Sequence, residues 1–155
     1  MHKVSAYAVR EGKSIEVTVS GYLPDSCHEA KIQDIYPGGS RTGIIDPGAA
    51  QVFIEETVKT GSGVCLIAFV PWAATVVIPD RNHTKVEIFV NNKEALEVGV
   101  VGKEGRFIVI ALTGFMTGCS IIPKDALYPA IYSRIFGPAT YAECESWVVA
   151  NCRKT

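Results

Sequence analysis

Apolar and polar residues alternate cleanly over 14–20, with Ile15, Val17 and Val19 on one side and Glu16, Thr18 and Ser20 on the other. A period of two puts successive side chains on opposite faces of an extended chain, so this segment is predicted as a half-buried strand. The same reasoning predicts strands near 3–9, 30–36, 51–59, 64–70, 74–78, 85–90 and 95–101. Between them stand Gly21, Pro24-Asp25, Pro37-Gly38-Gly39, Asp46-Pro47-Gly48, Gly61-Ser62-Gly63, Pro79-Asp80, Asn91-Asn92 and Gly102. Proline removes a ladder donor and glycine supplies positive φ, so these are turns at short intervals. Residues 1–101 therefore read as one mainly β domain without helix. Many short strands with regular turns predict an antiparallel, immunoglobulin-like sandwich, with a closed barrel as the competing arrangement.

The pattern changes after Gly102. Residues 102–155 read as a small αβ module: a strand over 107–113, a second over 130–136 ending at Gly137-Pro138, then one helix over 141–152. Thr140-Tyr141-Ala142-Glu143 has capping-box spacing, in which the threonine hydroxyl accepts from the amide three residues on. Tyr141, Cys144, Val148 and Cys152 fall along one helix face, and Arg153 and Lys154 follow at its negative end. Residues 107–123 carry no charge and reach the lower length limit of a membrane span. The β-branched FIVIALT run and the glycines that follow predict a buried strand and a turn there instead.

Composition narrows the function. Hydrophobic residues make up 48% of the 155 and charged residues 20%, which excludes a disordered tail. Fifteen basic residues balance sixteen acidic ones, so no basic face for nucleic acid is expected. The N-terminal stretch has no apolar core of signal-peptide length, so any export signal is expected to be missing from this chain.

Five cysteines are the unusual count. No C-x-x-C pair is present, and Cys27 and His28 are adjacent rather than spaced as metal ligands, so no metal site is predicted. A catalytic thiol needs a base beside it, and His83, in PDRNHT, reads as part of an exposed turn. Structural disulfides fit better. Cys27 ends the turn GYLPDSC and Cys65 opens a predicted strand, so a bridge would tie one sandwich edge to another. Cys144 and Cys152 are about 12 Å apart along an α-helix, whereas bridged Cα atoms lie within about 7 Å. They cannot pair with each other while the helix exists. Cys119 is then the partner for one of them; Cys152 is favoured because it would also anchor the C-terminus. Cys144 is left as a buried thiol or an intermolecular linker, so a monomer and a disulfide-linked dimer both stay open. Disulfides place the chain in an oxidising compartment, periplasmic or extracellular.

The string Ser20-Gly21-Tyr22-Leu23-Pro24-Asp25-Ser26-Cys27-His28, then Val64-Cys65, Val70-Pro71-Trp72 and Val77-Ile78-Pro79, resembles a class of exported bacterial immunoglobulin-like β-sandwich domains, often lipoprotein-attached, with no assigned function. The resemblance spans about 14–100. Tyr132 to Pro138, with Ala142-Glu143-Cys144-Glu145 and Asn151-Cys152, is similar to short exported modules built as strand, Gly-Pro turn and cysteine-bearing helix. It implies export and an envelope accessory role, and it brings no catalytic residues.

Other chemistry is sparse. Pro37-Gly38-Gly39-Ser40-Arg41-Thr42-Gly43 lacks the lysine and following helix of a phosphate loop and reads as a long hairpin loop. Asn82-His83-Thr84 is a formal glycosylation acceptor, and no calcium-loop pattern occurs. Tyr22, Trp72 and Trp147 are expected in core roles. The expectation is a non-enzymatic exported or envelope-associated interaction protein, without cofactor, whose partner is a protein or envelope component. Two alternatives remain: a protease inhibitor presenting the 37–48 loop with Arg41 at its crest, and a hydrolase whose site forms between the two modules.

Overall fold

A computed structural model of the protein describes residues 1–41, 48–61, 63–79, 82–112 and 118–152. The chain divides into two compact units, Met1–Val100 and Val101–Thr155. It is mainly β with one helix.

The first unit contains β1 (His2–Glu11), β2 (Ser14–Leu23), β3 (His28–Tyr36), β4 (Ala49–Val58), β5 (Val70–Pro79), β6 (Lys85–Val90) and most of β7 (Lys93–Gly102). They form one hydrogen-bonded sheet in the order β3-β4-β6-β7-β1-β2-β5. Alternation decides which side chains go inside. Ile15, Val17 and Val19 of β2 are fully buried, with Ala6, Ala8, Ala50, Val52, Ile54, Ile78, Val86 and Ile88. Most neighbouring strands are antiparallel, but β4 and β6 run parallel. That pair is possible because β5, between them in sequence, crosses to the far edge and pairs with β2.

The two edge strands of this sheet come together. Trp72 Nε1 on β5 donates to the Ala30 carbonyl on β3 at 2.9 Å. After β3, a Cβ at Gly38 would stand 2.9 Å from the Pro79 ring, and Gly38 has φ +101°, so only glycine fits there. The sheet is thus nearly barrel-like, with a seam closed by side chains instead of a ladder.

The expected strand over 64–70 does not form: only Val70 belongs to a strand, at the start of β5. Continuous apolar runs carry no alternation, so they do not distinguish a strand from an apolar loop. His83, expected in an exposed turn, is buried to 3% exposure, and its carbonyl accepts from the Arg10 guanidinium.

In the second unit, β8 (Phe107–Leu112) is the centre of a three-stranded sheet between β10 (Tyr132–Ala139) and β9 (Ser120–Pro123). The uncharged 107–123 stretch therefore contains two antiparallel strands, and the residues between them, 113–117, where a turn is expected, lie outside the described residues. Among the described residues no helix is long and apolar enough to cross a membrane. Strand β10 runs on through Gly137-Pro138, where the register against β8 shifts. Gly137 has φ +96°, and a Cβ there would meet the Phe107 carbonyl at 2.7 Å, so the close approach requires glycine.

Helix α1 (Tyr141–Asn151) starts at Thr140, whose hydroxyl accepts from the Glu143 amide, and packs on all three strands. Tyr141 meets Phe107 edge-to-face at 5.1 Å, and Cys144 is its fully buried residue. The positions expected to complement its C-terminus, Arg153 and Lys154, lie outside the described residues.

Candidate functional site

Both cysteine bridges are formed. Cys27 joins Cys65 with Cα atoms 5.3 Å apart, and Cys119 joins Cys152 at 6.3 Å. Cys144 remains a buried free thiol. Burial, with a smaller contribution from Glu143, pushes its pKa up, so at neutral pH it is an unreactive thiol.

The Cys27–Cys65 bridge anchors the most unusual surface of the first unit. The turn before β3 is ordered by Asp25, whose Oδ1 accepts from the Cys27 amide at 2.8 Å and the His28 amide at 3.1 Å. His28 Nδ1 lies 2.7 Å from the same oxygen, and an ionised carboxylate only accepts, so Nδ1 carries the hydrogen. The His28 ring holds the Asp25 carboxyl below its usual range; burial opposes it, and the Cys27 and His28 amides add to the lowering.

Ser26 then grips the segment that follows β4. Its amide donates to the Leu66 carbonyl at 3.1 Å, and its hydroxyl accepts from the Leu66 amide at 2.8 Å. The Lys59 amide donates to the Cys27 carbonyl at 2.6 Å, and its ammonium donates to the Ser26 carbonyl at 3.3 Å. The backbone over 63–69 is therefore fixed by a covalent bridge and a two-way hydrogen bond.

What that backbone presents is apolar. Val64 and Ile67 are 95% exposed, Leu66 70% and Phe69 63%. Phe69 leans edge-on against His2 at 5.0 Å and Tyr22 at 6.4 Å, which closes the base of the segment. Exposed leucine or isoleucine side chains scattered singly are ordinary. Four in six residues on a pinned loop form a patch, and such patches mark interaction sites.

Two rows of the adjoining sheet face are uncharged as well, although Glu16 lies exposed one row further along β2. Register places Ser5, Ser20 and Ala73 in one row across β1, β2 and β5, and Tyr7, Thr18 and Thr75 in the next. The Ser5 and Ser20 hydroxyls meet at 2.8 Å, and those of Thr18 and Thr75 at 3.0 Å. Strands β3, β4, β6 and β7 carry charged pairs, Lys31–Glu55 and Lys85–Glu97 among them.

The remaining candidates make their contacts within their own units. Arg41 is not extended from its loop: its guanidinium lies 3.8 Å over the Phe53 ring, donates to Asn92 at 2.7 Å and approaches Asp34 at 3.8 Å. The rest of the loop expected to present it, 42–47, lies outside the described residues. Trp72 closes the seam of the sheet, Tyr22 backs Phe69, and Trp147 stacks on Phe136 at 5.2 Å. That last pair floors a shallow depression on the second unit with Ala142, Ser146 and Ala150. Glu87, Glu94 and Glu97 converge on β6 and β7, where burial and then Glu87 raise the pKa of Glu94. Asp25 is also close to Cys27 and Cys65, but the disulfide takes up both sulfurs.

No family model, curated protein or solved structure matches the chain. The surface over 63–69 was not singled out by strand periodicity. Its signal was present as charge: from Thr60 to Pro79 the sequence has no charged residue, although the exposed loop sits inside that run.

Asp25 supplies a pH test of the anchoring turn. Its folded pKa is depressed below 3.8, so it contributes stability above that value and loses it as pH falls through the lower folded value. Asp25→Asn is expected to lower the melting temperature at pH 7, with the gap to the parent closing as pH falls below the ordinary aspartate value and Asp25 takes up its proton. Thermal melts across that range check it; a gap independent of pH would show that the carboxylate charge is not what orders the turn.

Proposed function

We propose that the protein is a non-catalytic, exported or envelope-associated binding module whose contact surface is the disulfide-anchored apolar segment over 63–69. One observation carries the reading: four large apolar side chains stand exposed on a backbone already fixed by Cys65 and Leu66. A loop ordered before contact does not incur the ordering cost at the moment of binding. The uncharged rows on β1, β2 and β5 extend the same surface.

Two intramolecular disulfides are compatible with export, since such bridges persist in oxidising compartments. The kinship with exported immunoglobulin-like domains belongs to the same proposal and rests on the Gly-Tyr-Leu-Pro to Cys27 and Val64-Cys65 pattern. The inhibitor reading loses its support in Arg41, whose guanidinium is engaged by Phe53, Asn92 and Asp34.

A photo-crosslinking amino acid at position 67, compared with one at position 31 on the charged side, tests the reading in intact cells of the natural host. Adducts with an envelope component from position 67 but not from 31 are expected. Equal adducts from both positions, or none from either, would overturn the assignment.

A further inference from the structure

Resting on the reading of 63–69 as the contact surface, we propose that this segment inserts into the interfacial region of a lipid bilayer. The argument begins with what the segment asks of a partner. Between Gly63 and Pro71 no side chain is able to hydrogen-bond, because the only polar candidate, Cys65, is oxidised. Protein interfaces carry about one hydrogen bond per 100–200 Å² and a polar rim. This loop offers a partner hydrocarbon alone.

Part of its own backbone is already paired. The Leu66 amide and carbonyl are both bonded to Ser26, and the Ala68 amide donates to the Leu66 carbonyl at 3.0 Å. In a bilayer an unsatisfied backbone group is penalised, so a loop entering one needs this internal pairing. The fold supplies it at Leu66 and Ala68.

Shape and area point the same way. Val64 and Ile67, at 95% exposure, project from the surface, and a convex apolar tip needs a matching pocket in a protein but none in a fluid interface. A second copy of the chain would need more surface than this segment supplies. Complete burial of an aliphatic or phenyl side chain corresponds to about 60–120 Å² at 25 cal/mol/Å², so the four together cover about 250–500 Å². A stable dimer needs about 800 Å² on each partner.

The base of the segment suits the headgroup layer. Lys59 stands beside Ser26, and His2, touching Phe69, is followed by exposed Lys3. Asp25 of the anchoring turn is turned inward onto the His28 ring and the Cys27 and His28 amides, and Glu29 beyond it is exposed. Cations and amphipathic rings at this level meet lipid phosphates and the polar–apolar boundary, while apolar side chains reach about 5–10 Å further in.

The experiment is sedimentation of the full-length, oxidised chain with sucrose-loaded vesicles of phosphatidylcholine containing a minority of phosphatidylglycerol. The parent chain is expected to partition onto vesicles, and Ile67→Asp to weaken partitioning at least tenfold. Val149→Asp, at an equally exposed apolar position on α1, is expected to leave it unchanged. In a separate variant, Ile67→Trp, indole emission is expected to shift to the blue on vesicles and to be quenched by brominated lipid. Equal weakening by Val149→Asp, or a position-67 indole that brominated lipid does not quench, overturns insertion. So does self-association of the parent chain that Ile67→Asp abolishes. Absence of vesicle binding with a protein adduct still forming at position 67 in cells defeats the bilayer inference and leaves the binding-module reading standing. Absence of both defeats the two together.

Discussion

Phe107→Ala is expected to unfold the second unit while the first stays folded. Phe107 is fully buried at the start of the central strand β8, and the Tyr141 ring of α1 stands edge-on against it at 5.1 Å. Its carbonyl also faces Gly137 of β10, so it sits where strand, strand and helix meet. Truncating a buried phenylalanine costs about 3–5 kcal/mol, the transfer term plus the cavity left behind. At roughly 0.05–0.15 kcal/mol per residue, a unit the size of Val101–Thr155 has about 3–8 kcal/mol in all. One substitution therefore removes most of that margin. Hydrogen exchange resolved by peptide checks it: amides of β8 and β10 should lose protection, and those of β2 should keep it. Uniform loss across both units would mean that they unfold as one cooperative body.

The elements legible in the sequence are those whose evidence is local. Ile15, Val17 and Val19 read as a buried strand face because period two is a property of neighbours along the chain, and all three are fully buried. Thr140 and Glu143 announced the helix start for the same reason, and the helical rise alone kept Cys144 from pairing with Cys152. What the pattern missed depends on contacts distant in sequence. The parallel pairing of β4 with β6 follows from where β5 docks, and no residue in either strand encodes that. His83 is buried at a site where Arg10, far away in the chain, reaches its carbonyl. Arg41 likewise meets Asn92 and the Phe53 ring, partners distant from it in the chain.

The candidate site was illegible for a sharper reason. Over 64–70 the run Val-Cys-Leu-Ile-Ala-Phe-Val has the composition of a core strand, and composition cannot distinguish a buried run from an exposed one. What keeps it out of the sheet is the prior use of its backbone by Ser26 and its tether to Cys27. The short strand β9 escaped notice because four residues, Ser-Ile-Ile-Pro, show too few repeats to define a period.

Replacing both cysteines of the first bridge, Cys27→Ala with Cys65→Ala, is expected to destabilise the first unit by about 4 kcal/mol. The bridge spans 38 positions, and closing a loop of that length in the unfolded chain accounts for that value on the chain-entropy model. Urea unfolding without reductant measures it. The midpoint should fall, and the slope should rise because the uncrosslinked chain exposes more surface when unfolded. The double variant is needed because a reductant would also open Cys119–Cys152. At temperatures where the variant stays folded, Ser26 still holds Leu66 through both hydrogen bonds, but nothing covalent fixes Cys65. The segment must then be ordered on contact, so contact through position 67 should weaken several-fold although every apolar side chain is retained. A variant that unfolds earlier yet binds as tightly would separate the two roles of the bridge, leaving it a staple of the fold and assigning the presentation of the loop to Ser26 alone.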